Sequence, residues 1–102
     1  MARARFAKVF GESVRKHRNE QDLSQEVLAE IAEIHRTHVG FIERGEQSPS
    51  LDVAHRVAAA LGLRLATLVA EAEERVPPDP RVSERRRRLR RPRRRPPPPR
   101  FT

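Results

Sequence analysis

Between Ser24 and Gly45 the chain reads SQEVLAEIAEIHRTHVGFIERG, and its apolar residues stop, change phase and resume across Glu33 to His35. Leu28, Ile31 and Ala32 stand at i, i+3 and i+4, the spacing of one helical face. Val39 and Ile42 begin a second face, with Ile34 in the gap between them. One continuous helix cannot carry both faces. The segment therefore predicts two short helices joined by a tight turn, with polar residues on the outside of the second. The rest of the chain has to close around that angle.

The flanking sequence supplies further helices. Phe6, Phe10, Val14 and His17 fall on one face of a first helix over about Phe6 to Glu20. Gly11 inside it costs up to about 1 kcal/mol relative to Ala unless another helix must approach closely there. His17 is read as a partly buried packing residue. Ser24 can cap the first turn of the next helix, and Leu23 with Leu28 sits where a hydrophobic staple would. Ala29, small and central, lets the two helices of the angled pair come close.

The second member of that pair is expected over about Arg36 to Arg44, with Val39 and Ile42 inward and Arg36, Thr37, His38, Gly40 and Phe41 outward. Gly45 suits the left-handed residue after a helix end. Ser50 caps a fourth helix, about Leu51 to Leu61, whose stripe is Leu51, Ala54, Val57, Ala58 and Leu61. Gly62 ends it. A fifth, about Leu65 to Arg75, presents Leu65, Leu68, Val69 and Ala72. Arg64 is a poor cap, so this last helix should fray at its start.

The expected fold is all-α: a compact five-helix bundle over residues 1–75 containing a helix-turn-helix, followed by a tail over 76–102. All but one of the nine prolines lie in that tail, and so does nearly all of the excess positive charge. Residues 1–75 carry 11 Lys and Arg against 12 Asp and Glu, a net of −1; residues 76–102 carry 11 Arg against 2 acids, a net of +9. The sequence pI near 11.5 is thus a property of the tail and says nothing of the bundle. Proline and arginine with almost no apolar residues cannot bury a core, so a disordered, polyproline-like extension is expected.

Composition excludes several classes. There is no cysteine, hence no disulfide framework and no thiolate chemistry. No apolar run approaches the ~20 residues of a membrane span. The N-terminal MARARFAKVFGES lacks the apolar core of a secretory signal, so a soluble cytoplasmic protein is expected. With only 4% aromatic residues, a bundle this small buries about 60% of its unfolded surface, which favours dimerisation. No Gly-rich phosphate loop, nucleophile–base pair or paired carboxylates stand out. His35 and His38, spaced i, i+3 without a carboxylate or thiol beside them, make a poor metal site. No enzyme, metal or cofactor is expected, and no domain for a small-molecule effector fits in the remaining residues.

The run LSQEVLAEIAEIHRTHVGFIERGEQSPSLDVAHRVAAALGL resembles the Cro/phage-repressor class of helix-turn-helix proteins, often called Xre-type, over about Phe10 to Leu68. HRTHVGFIERG is also similar to controller proteins of restriction–modification systems. The resemblance implies a dimeric regulator of transcription on double-stranded DNA, prokaryotic and nucleoid-associated when bound, with the third helix in the major groove.

It further implies that Arg36, Thr37, His38, Gly40 and Phe41 face base edges, with Arg36 suited to guanine O6 and N7. Gln25, Arg44, Gln47 and Ser48 would contact phosphates. Glu43 would pair with Arg18 and orient the reading helix. Two positions depart from the family pattern. Glu33 stands where glycine is usual, at a cost of roughly 1–2 kcal/mol if that residue is left-handed. His35 stands where Ser or Thr usually caps. The near-neutral bundle also leaves open a rival reading, a protein-interaction module such as an antitoxin that covers a partner protein and represses its own operon.

Overall fold

A computed structural model describes residues 2–90 and 96–100. Six helices and no strand occur among them: α1 (Ala2–Glu20), α2 (Gln25–Ala32), α3 (Arg36–Arg44), α4 (Leu51–Ala60), α5 (Leu65–Arg75) and α6 (Pro80–Leu89). The first five form the bundle. α1 packs on α3 and α5, α2 packs on α3 and α4, and α4 meets α5. Each contributes a fully buried side chain to one core: Val14, Leu28, Val39 with Ile42, Val57 and Leu68. No single helix among the described residues is long and apolar enough to cross a membrane.

Three details depart from the apolar pattern. α1 begins at Ala2, a turn before Phe6; Ala and Arg are both strong helix formers. Ile31 is 54% exposed; α2 buries Leu28, Ala29 and Ala32 instead. The face toward α3 and α4 carries Leu28 with the two alanines, and the larger isoleucine lies off it. Leu51, expected in the α4 stripe, is also exposed, since it precedes the first turn that reaches the core.

The segment after the bundle carries one further helix, Pro80–Leu89, beyond the five expected. Asp79 caps it, its Oδ1 accepting from Arg81 N at 2.9 Å, and Pro80 occupies the first turn, where its missing N–H costs nothing. α6 buries no residue. Residues 91–95 and 101–102 of the expected tail lie outside the described residues.

His17 does more than pack. Its Nε2 lies 2.9 Å from Oε2 of Glu71 on α5, and Ser13 Oγ donates to the same oxygen at 2.8 Å. Serine and histidine both point at the carboxylate and not at each other, so this is a seam between α1 and α5 and not a nucleophile–base pair. Partial burial opposes ionisation of Glu71. Hydrogen bonds from Ser13 and His17 and the charges of His17 and Lys16 outweigh it and hold the carboxyl below its ordinary value.

Candidate nucleic-acid interface

The angle between α2 and α3 is made by local chemistry. Ser24 Oγ accepts from Val27 N at 3.0 Å and starts α2. α2 ends on Glu33, left-handed at φ 58°, with Ile34 N reaching back to Ala29 O at 3.0 Å. That is the glycine-type helix end, held here by a glutamate. His35 then caps α3: its Nδ1 accepts from Thr37 N at 3.1 Å, so the imidazole does the work of the hydroxyl usual at this position. α3 stops at Gly45, φ 72°, where Glu46 N returns to Phe41 O at 2.9 Å. A Cβ on Gly45 would also stand 2.6 Å from Lys8 Cα, so glycine is required there twice over.

The inner side of α3 is fixed tightly. At Gly11, a Cβ would collide with the carbonyl oxygen of Ile42, so α1 and α3 touch backbone to backbone. Beside this contact Arg18 meets Glu43. Arg18 Nε donates to Oε2 at 2.7 Å and its Nη2 to Oε1 at 2.9 Å. The third nitrogen, Nη1, donates to Leu23 O at 2.8 Å, and Gln25 Nε2 donates to Glu43 Oε1 at 3.1 Å. Both charged residues are buried, and no buried side-chain nitrogen or oxygen among the described residues lacks a partner. The hydrogen bonds to Glu43 raise the proton affinity of Arg18 despite its burial. One carboxylate thus binds α3 to α1 and to the start of α2.

The outer side is open. Arg36, Thr37, Gly40 and Arg44 line one concave surface together with Arg18, Ser24, Gln25 and Glu26. Gln25, with its amide nitrogen committed to Glu43, is held with its carboxamide at the rim. Arg36 and Thr37 are exposed at the first turn of α3. Of the other residues singled out by sequence, His38 and Phe41 are half-buried and outside that surface's lining. Gln47 and Ser48 are exposed on the loop after α3.

Gly40 is not open as its lack of a side chain suggests. The guanidinium of Arg44 covers it and lies 5.4 Å from the centroid of the Phe41 ring. Glu46, which sequence reasoning passed over, grips that guanidinium at 3.0 and 3.2 Å. The signal was present: a left-handed Gly45 between Arg44 and Glu46 reverses the chain and sets the two side chains together.

Two short helices at a left-handed turn, the second braced from behind and presenting an exposed basic row, define a helix-turn-helix. A helix-turn-helix family model (HTH_3) matches residues 14–68, more than half the chain, and the protein belongs to this Xre/Cro-type family of DNA-binding transcriptional regulators, which is not a family of enzymes. Control protein C.SmaI of Serratia marcescens is 41% identical over 61 residues, 60% of this chain and 73% of that protein. The immunity repressor protein of Bacillus phage phi105 is 38% identical over 60% of this chain, spanning 42% of the repressor. The crystal structure of the restriction-modification controller protein C.AhdI from Aeromonas hydrophila matches with a TM-score of 0.60 and 35% identity, over 61% of this chain and 94% of that one.

Proposed function

We propose that the protein binds an inverted repeat in duplex DNA as a homodimer, with α3 of each copy in the major groove. The observation that carries this is the position of Arg36 and Thr37. They are exposed on the first turn of a helix whose opposite side is locked by Glu43, so their direction is set before DNA arrives. Arg36 offers a fork that fits guanine O6 and N7, and Thr37 can bond or pack its methyl against a neighbouring pair. Gln25, Gln47 and Ser48 contact phosphates and fix the register. His38 and Phe41 support from the flank, giving apolar and polar contact near the groove wall.

The dimer contact lies on the α4–α5 corner, where Ala59, Leu63, Leu65 and Ala66, with His55 and Arg64 beside them, line a shallow depression. The four apolar residues of that lining support this placement, and the small size of the core favours dimerisation. The Arg-rich segment beyond residue 76 supplies the general attraction for phosphate that the bundle, at net −1, lacks.

Half-site spacing tests the arrangement. On a duplex selected by the full chain, inserting about five base pairs, half a helical turn, between the half-sites should abolish tight binding. Unchanged affinity would exclude two rigidly paired reading helices. Deleting residues 78–102 should lower affinity for all duplexes alike and flatten the salt dependence, by about 0.9 in logarithmic slope for each phosphate the shortened chain no longer neutralises. A changed sequence preference would make the tail a reader and this assignment wrong.

A further inference from the structure

Arg36, Gly40 and Arg44 are spaced i, i+4, i+8 and form one row along the outer side of α3. The middle member has no side chain, and the last folds back over it. A Cβ placed on Gly40 would lie 2.9 Å from Arg44 Nη1 and 3.6 Å from its Cζ. Helical side chains lean toward the N-terminus, so a long residue at position 44 reaches the space above position 40 without strain. The face of Phe41 supports the guanidinium from one side.

Glu46 decides which edge of the guanidinium remains. A guanidinium carries five N–H groups: one on Nε and two on each terminal nitrogen. Glu46 takes Nε–H and one N–H of Nη2. The end of the fork is left, with both N–H groups of Nη1 and one of Nη2. Two parallel donors at that end match the O6 and N7 acceptors of guanine. A phosphate contact makes other demands. It uses net charge, and pairing with Glu46 cancels the charge of Arg44, whereas the same pairing fixes its direction. The pair is ionised on both sides, since Glu46 raises Arg44 and Arg44 lowers Glu46.

We propose that Arg44 is a second base-reading arginine, which fills the position left empty by Gly40 and is aimed by Glu46, and that it recognises a guanine distinct from the one read by Arg36. This rests on α3 lying in the major groove. Glycine at position 40 is then a condition for reading and not a gap in it.

The test is fluorescence-anisotropy titration of the full chain against its selected duplex, each single base-pair substitution of that duplex, and one unrelated duplex. Arg44→Ala and Arg44→Lys should each lose roughly 5- to 150-fold discrimination at one G·C pair per half-site, because lysine keeps the charge and lacks the fork. Gly40→Ala should lose discrimination at that same pair while melting no lower than the wild type, since alanine displaces the guanidinium yet favours the helix. Glu46→Gln should relax the same pair and no other.

Equal weakening on every duplex by Arg44→Ala, or a wild-type profile from Arg44→Lys or Gly40→Ala, would overturn the proposal and return Arg44 to the phosphates. Arg36→Ala on the same duplexes separates the two levels. If it alters its own base pair while the Arg44 variants are flat, only this proposal falls; if it too is flat, the groove reading falls and this with it.

Discussion

Arg18–Glu43 and Arg44–Glu46 are the same pair of residue types at similar distances, 2.7 and 3.0 Å, set against opposite sides of α3. In the first, the side chains are 11% and 2% exposed; in the second, 52% and 50%. Water makes the difference in what each does. The inner pair has left solvent, so removing one partner strands a charge with nowhere to go. The outer pair is screened and adds little to the fold, but its two-point grip limits where the guanidinium can point. One pair sets the helix; the other sets a side chain on it.

The largest effect that would test this contrast is on stability. Glu43→Ala should cost about 3–5 kcal/mol in urea unfolding, a large part of the roughly 5–15 kcal/mol available to a small domain. Glu46→Ala should leave the unfolding midpoint unchanged within error. Similar midpoints for the two variants would erase the distinction.

Gly11→Ala comes next. Its methyl would collide with the Ile42 carbonyl, so α1 and α3 must separate, at about 1–3 kcal/mol or more. A midpoint at or above the wild type would show that the two backbones have slack, and that Arg18 and Glu43 hold α3 less firmly than their distances suggest.

The smallest effect lies on the α1–α5 seam. Because the folded state holds Glu71 below its ordinary value of 4.5, its contribution is present above that pH and is lost as pH falls through the lower folded value. Glu71→Gln should therefore be less stable than the wild type at pH 7, and the difference should close below about pH 4.5. A difference that stayed constant with pH would mean that shape, not ionisation, accounts for it.

The five core helices were legible because each carries an apolar stripe at helical period, and because Ser24, Ser50, Gly45 and Gly62 punctuate them. Period alone could not choose between Ile31 and Ala29 for the buried centre of α2, since that depends on how closely α3 and α4 approach. Nor could it find α6, which has no stripe; Asp79–Pro80 was its only mark. The Arg18–Glu43 pair came from resemblance, as 25 residues separate the partners and no local rule joins them. Glu46 was missed for the opposite reason. It is two residues from Arg44, a spacing that does not meet on a helix and does so here only because Gly45 turns the chain. His35, a departure from the family's hydroxyl cap, is able to cap the helix through a ring nitrogen.

Everything functional here depends on whether the outer side of α3 reads sequence. Selection from a random duplex library by the full chain and by Arg36→Ala, followed by sequencing, measures this directly. The wild type should return an inverted repeat with half-site centres about 10–10.5 base pairs apart, and the variant the same repeat with one guanine per half-site no longer specified. Recovery of the identical motif by both proteins, with no position relaxed, would contradict it.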